Sequence, residues 1–480
     1  MADFMLFGAQ LKTILKNRGV SASQLSRLMG FKSKTTLFRV LNDEVTYASL
    51  QSFWRKMTQR QPLPLTQEEW SQLEQSLNVS RQGLEACALN QAMHELLHPS
   101  QQPFEDIPVR CFGQDAPRVQ SLRELMRFYR QSPRVHITLV NCTQSDLLRL
   151  ICQSLSPESM QIHHLLNLND TLLDTVRSIG ACLPLLPYAC YTPYALSEPL
   201  RSSELFVIFH NGEGQWETHY FLFTAQGELC MMASRDKDFP SFWKAALQDP
   251  LVPFLQPLKV VLGPLSAPSD YVGFIQRYYE LEKERALYSI KPDVPINFIH
   301  PDLLVDAVRE GLNKNGASPV DETLISDLYD IQLKRWQNFF EKRKVTHVIF
   351  SKEAMIRFAR TGRQTDHFFV MRPYTAKERE AILTFLWEQA QSNPYFNLYF
   401  AHENCVIEDR EISCYEGAGT VFQDANTSYN QDHQEVMITH PAFAQQFKRY
   451  FMNELLVNHV LSPRETQHLW DYLIALCHKG

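Results

Sequence analysis

The spacing of apolar residues changes at residues 98–108, and that change limits what this 480-residue chain can fold into. Upstream, apolar residues recur at helical spacing: Phe7, Leu11, Ile14 and Leu15 fall at i, i+4, i+7 and i+8, one face of a helix. Downstream, short β-branched and aromatic runs alternate with helical stretches. The segment between them, HPSQQPFEDIP, holds three prolines and no periodicity, and it reads as a linker. The expected architecture is therefore multidomain: an all-α head joined to a large α/β or α+β body.

Local signals divide the head into helices. Gly19 is a natural stop for the first. Ser21 and Gln24 form an S-x-x-Q capping box that opens a second helix, with Leu25, Leu28 and Met29 as its apolar side and Gly30 as its end. Ser33 can cap a third, whose inner face is Leu37, Val40 and Leu41. Leu50, Phe53, Trp54 and Met57 mark a fourth. Thr66 and Glu69 form a second capping box, before Trp70, Leu73 and Leu77, and a further helical stretch runs from about residue 80 to 97. Phe7, Leu11, Leu25, Leu37, Phe53 and Trp54 are the expected core of a separately folding unit, 1–97.

In the body, 134–140, 204–209, 218–223, 228–233, 346–350, 367–371, 396–401 and 435–439 read as strands. Asn211-Gly212 and Gln226-Gly227 suit tight turns between them. A helix is expected over 143–155, and 289–302 reads as a second linker, dividing the body into 109–288 and 289–480. A strand followed by T-x-x-D or T-x-x-E and an apolar helix occurs at 135–155 and again at 367–387, 232 residues later, which suggests two duplicated strand–helix units. Capped strand–helix units also resemble one another by chance.

Composition removes several classes. No run of about 18 apolar residues occurs, and the N-terminus lacks a basic, then apolar, then small-residue pattern, so the expectation is a cytoplasmic protein without a membrane partner. The ten cysteines form no C-x-x-C pair. Charge is uneven. Residues 1–60 hold ten Lys and Arg against three acids, a net +7, so the other 420 residues carry −13 of the total −6. A basic head on an acidic body fits a polyanion-binding module.

The stretch FGAQLKTILKNRGVSASQLSRLMGFKSKTTLFRVLNDEVTYASLQSFW, residues 7–54, resembles the lambda-repressor/Cro-like helix-turn-helix family, the XRE regulators. The resemblance rests on the core from Gly19 to Gly30, the recognition-like segment from Ser33 to Arg39, and the aliphatic helix after it. It implies that the second helix crosses the phosphate backbone and the third enters the major groove. Independently, a helix N-terminus offers free N–H groups and partial positive charge to phosphate, and Ser21, Ser23 and Gln24 are small or amide-bearing enough for DNA to approach. Lys32, Ser33, Lys34, Thr35, Thr36 and Arg39 complete the candidate DNA-binding set. Lys and Arg can read guanine, and Thr can bond a base or touch a thymine methyl. Two departures stand out: a longer turn at Phe31-Lys32-Ser33, and Asn42-Asp43-Glu44 where the family usually has glycine. The second departure puts two acids near the DNA, with Asn42 able to take the left-handed turn. The alternative is an ordinary helical bundle that binds protein.

The body offers little for catalysis. Phosphate-cradling G-x-x-x-x-G-K-[ST], G-x-G-x-x-G and G-x-S-x-G patterns are missing, as is the H-x-K-x-x-x-x-D of phospholipase D-like phosphodiesterases. His163-His164 point different ways and make a poor metal pair; His210 and His219 flank a hairpin; CYEGAGTVFQD reads as a turn between strands. No catalytic residue, metal ligand or cofactor is assigned. The expectation is a sequence-specific transcriptional regulator that binds double-stranded DNA as a homodimer, with a body that senses a small-molecule or peptide effector. Aromatic stripes at Phe447, Tyr450, Phe451 and Leu455, and at Leu469, Tyr472, Leu473 and Leu476, are candidates for the dimer contact, the alternative being that both pack into their own subunit's core. The alternatives are a nuclease- or hydrolase-like defence enzyme with a DNA-binding head, and a protein-interaction adaptor.

Overall fold

The computed structural model describes residues 4–31, 34–97, 109–112, 121–132, 134–143, 145–154, 156, 158–168, 171–196, 205–212, 215–223, 229–234, 255–263, 268–314, 322–364, 371–402, 410–424 and 435–478. The chain divides into two compact units, Met1–His94 and Glu95–Gly480. The expected linker at 98–108 lies outside the described residues, as do Gln226-Gly227 and the 367–370 part of an expected strand.

The first unit is helical: α1 (Phe7–Asn17), α2 (Ala22–Leu28), α3 (Thr35–Leu41), α4 (Tyr47–Arg60), α5 (Gln67–Gln82) and the start of α6 (Leu84–Leu97). Both expected capping boxes form, at Ser21/Gln24 and at Thr66/Glu69. Phe7, Leu11, Leu25, Leu37 and Phe53 are buried in one cluster, while Trp54 is half-buried, edge-on to both Phe7 and Trp70. Three helices end alike. After α1, α2 and α3 the chain turns through a left-handed residue, Gly19, Gly30 and Asp43 in turn. Each turn closes with a six-to-one hydrogen bond: Val20 to Leu15, Phe31 to Ser26, and Glu44 to Arg39.

The second unit is built on two mixed sheets. The first has eight strands in the order β1-β7-β6-β5-β2-β3-β4-β8, and the second has seven in the order β12-β11-β10-β13-β14-β15-β9. The first sheet comprises β1 (Val109–Phe112), β2 (Val135–Val140), β3 (Met160–Asn167), β4 (Tyr191–Leu196), β5 (Leu205–Gly212), β6 (Gln215–Phe223), β7 (Leu229–Ser234) and β8 (Leu255–Pro257). Helices α7 (Leu122–Arg130), α8 (Ser145–Gln153) and α9 (Leu172–Cys182) accompany it. The second comprises β9 (Lys259–Gly263), β10 (Leu287–Lys291), β11 (Thr346–Phe350), β12 (Phe396–Phe400), β13 (Arg410–Tyr415), β14 (Gly419–Asp424) and β15 (Glu435–Ile438). Its helices are α10 (Pro268–Glu282), α11 (Pro301–Lys314), α12 (Glu322–Phe340), α13 (Lys352–Thr361), α14 (Ala376–Ser392), α15 (Pro441–Tyr450) and α16 (Pro463–Cys477).

The two sheets repeat one topology. In each, three parallel strands are joined through helices, and an antiparallel meander of three strands adds to the free side of the first. Thus β2, β3 and β4 correspond to β10, β11 and β12, and β5, β6 and β7 to β13, β14 and β15. The duplication is not the one that the 232-residue offset suggests. Helix α8 follows the first parallel strand of its sheet, whereas α14, opened by the Thr375/Glu378 capping box, precedes the third strand of the other.

Three expectations are corrected. The division at 288/289 cuts through β10, and β9 already belongs to the second sheet. The expected linker 289–302 is not a linker: Val294, Phe298 and Ile299 are buried in the core between β10 and α11, and the prolines end the strand without exposing the residues beyond it. Asn211-Gly212 is the end of β5 and pairs with β6, so the reversal comes after Gly212.

The aromatic stripes are also internal. Phe447, Tyr450, Phe451, Leu455, Leu469, Leu473 and Leu476 are all buried within the unit, which removes them as a dimer contact. Of the two stripes, only Tyr472 is exposed. Among the described residues, no helix is long and apolar enough to cross a membrane.

Lys344, between α12 and β11, has a buried ammonium without a hydrogen-bond partner, 3.8 Å over the Phe339 ring. The ring favours the charged form, but burial outweighs it and pushes the lysine down to about 7. The unfolded chain binds this proton up to about 10.5, so stability rises with pH from about 7 to 10.5. Lys344→Met is expected to stabilise the protein most at pH 7 and below, and the difference should vanish towards pH 10.5. Urea midpoints of both proteins across that range check this; a pH-independent difference would contradict it.

Candidate nucleic-acid interface

The head's candidate residues lie on two short helices anchored from behind. Leu37, Val40 and Leu41 turn inward from α3 and are buried. Lys34, Thr35, Thr36, Phe38 and Arg39 are exposed on its outer side. Lys34 occupies the N-cap position. Lys32 and Ser33, the latter the expected cap of α3, lie outside the described residues. On α2, Ser21 and Gln24 are exposed and Ser23 is half-buried. The Gln24 backbone N–H donates to Ser21 Oγ at 3.2 Å, and the Ser21 N–H donates to Gln24 Oε1 at 2.7 Å. The amide oxygen of Gln24 is therefore already engaged, leaving its NH2 as the group able to reach outward. Arg39 is exposed but bends back, with Nη2 donating to the Glu44 carbonyl at 3.2 Å.

Asp43 departs from expectation. It, not Asn42, takes the left-handed turn, at φ 57°. Its carboxylate faces α1: Oδ1 accepts from the Gly8 N–H at 2.8 Å and Oδ2 from the Ala9 N–H at 3.2 Å. Two of the unsatisfied donors at the start of α1 are thereby bonded by an acid at the positive end of the helix. Of the two acids expected near DNA, one is thus an internal tie between α3 and α1.

Other ties hold α2 and α3 in place. Arg60 of α4 donates to the Met29 carbonyl at the end of α2. Phe31, in the turn between the two helices, stacks on Phe53 at 5.9 Å, with the Lys56 ammonium 6.0 Å from its ring centre. Arg18 and Glu69 join α1 to α5. Bonding to Arg18, then to the Thr66 N–H, holds the Glu69 carboxyl down at about 2. Sequence reasoning misses Asp43, Arg60 and Phe31 because each acts across the tertiary fold.

The body holds no comparable constellation in its described part. No group of three or more His, Cys, Asp or Glu among the described residues could hold a metal ion. His163 and His164 face opposite ways, as expected: His163 stacks on Tyr194, and His164 is buried against the Tyr191 hydroxyl at 2.8 Å. Burial pushes His164 down to about 3, so it is neutral. Glu416–Ala418 forms the turn between β13 and β14, and it borders a cavity of about 630 Å³ beside α15. Gly417, Ala418, Gln445, Lys448, Arg449 and Met452 are among its walls.

No family model matches the chain, and no curated protein matches it. Among solved structures, a polyphosphate kinase from Porphyromonas gingivalis is similar over 74% of this chain and 53% of its own, at 12% identity and a TM-score of 0.23. The chain thus spans about half the length of that kinase.

Proposed function

We propose that this chain is a sequence-selective transcriptional regulator of the XRE type, binding double-stranded DNA through α2 and α3. One observation carries the reading: the exposed side of α3 presents Lys34, Thr35, Thr36 and Arg39, while its other side is buried in a head of net charge +7 over residues 1–60. A short helix with a basic, hydroxyl-bearing outer face is what major-groove readout requires, and the surrounding positive charge suits phosphate. The body then acts as the sensor. Its cavity beside α15 lies in the size range of small-molecule sites and offers Arg449 to an effector, with Lys448 already paired to Glu416. Paired half-sites would call for a homodimer, whose contact must lie outside the aromatic stripes.

Selection of bound sequences from a random duplex library tests the reading. Lys34→Ala and Arg39→Ala are each expected to cost about 1–3 kcal/mol on the selected site and to relax preference at one base pair. Weakening that is uniform across sequences would assign both side chains to phosphate. Failure to enrich any sequence would reject the reading.

A further inference from the structure

We propose that Phe38 is a specificity-determining residue that packs on the 5-methyl group of thymine in the major groove; this rests on the DNA-binding reading above. Phe38 is 49% exposed in the middle of α3, although Leu37, Val40 and Leu41 around it are buried. It falls four residues after Lys34 and three after Thr35, so all three share one strip of the helix. Arg39, next to it, bends towards the Glu44 carbonyl rather than over the ring's strip of Lys34 and Thr35.

A half-exposed phenyl on a reading surface needs an apolar counterpart. Among the base edges of the major groove, the thymine C5-methyl is that counterpart, and Phe is one of the side chains suited to it. Charge favours DNA over a protein as the surface that covers the ring. Lys34 and Arg39 flank it, on a head whose first 60 residues carry ten basic and three acidic side chains. Leu28 of α2, 54% exposed, is a second large apolar residue of this head and would be the natural partner of Phe38 in self-association instead.

The test uses the full chain and the duplex it selects. Each thymine is replaced in turn by deoxyuridine, which removes the methyl and keeps base pairing. At one or two positions the wild-type protein is expected to lose about four-fold in affinity, the factor that one buried methyl supplies. Phe38→Ala should lose at least that factor on the thymine duplex and be indifferent to uracil there, whereas Phe38→Leu should keep part of the preference. Selective binding with no uracil effect at any position would overturn the role of Phe38 and leave the DNA-binding reading standing. Absence of any selective binding would overturn both. A fall in solution mass on Phe38→Ala without DNA, with the uracil response unchanged, would assign the ring to self-association and overturn the proposal.

Discussion

Arg335→Leu is expected to destabilise the body by about 3–5 kcal/mol, the range for removing one partner of a buried ion pair. Arg335 on α12 and Glu282 at the end of α10 are both almost completely buried. The guanidinium donates twice, Nε to Oε2 at 2.8 Å and Nη2 to Oε1 at 2.7 Å. Asn297 supplies one further donor to Oε1 at 3.1 Å, and Asn338 bonds the Glu282 carbonyl at 3.1 Å. With leucine at 335, the carboxylate would stay in the core with Asn297 as its remaining side-chain donor in this set. Domain stabilities are about 5–15 kcal/mol, so the loss is a large fraction of the whole. The expected result is a large drop in urea midpoint. Adding Glu282→Leu should recover most of it, because two apolar side chains leave no orphaned charge. A single variant within about 1 kcal/mol of wild type would mean that water reaches Glu282.

The same region explains what the sequence conceals. Strands β10 and β13 escape sequence reasoning because polar residues occupy their interior positions. Ser289 and Ser413 are fully buried and 2.7 Å apart, and Lys291 is paired with Glu411 below the surface. A strand with Ser and Lys facing its core breaks the alternation that marks strands. The prolines of 289–302 signal a loop correctly, but not that Val294, Phe298 and Ile299 are buried. The aromatic stripes of α15 and α16 announce covered faces, yet periodicity does not say whether the cover comes from the same chain. In the head, by contrast, the Ser21/Gln24 and Thr66/Glu69 boxes are legible because each is complete within four residues. The tie from Asp43 to Gly8 and Ala9 spans more than thirty residues and depends on how α1 and α3 cross.

That crossing yields the second large effect: Gly8→Ala is expected to unfold or loosen the head while leaving the body folded. Gly8 is the second residue of α1, where alanine should gain up to about 1 kcal/mol of helix propensity. Against this, a Cβ at Gly8 would sit 2.3 Å from the Val40 carbonyl oxygen and 2.7 Å from that of Leu41. Both are backbone atoms of α3 and cannot rotate aside. Overpacking of this kind typically costs about 1–3 kcal/mol. Lifting α1 from α3 would also stretch the two hydrogen bonds that the Gly8 and Ala9 N–H groups donate to Asp43, a cap worth about 0.5–2 kcal/mol. The clash therefore outweighs the propensity gain. Gly273 of α10 is the control, because its Cβ would meet nothing closer than Arg277 Nη1 at 3.7 Å. Gly273→Ala should stabilise by about 0.5–1 kcal/mol. Amide hydrogen exchange on the intact chain separates the two units: Gly8→Ala should speed exchange across α1, α3 and α4 and leave β10–β12 protected. Unchanged protection of α1 in that variant would mean that the two helices can separate at little cost.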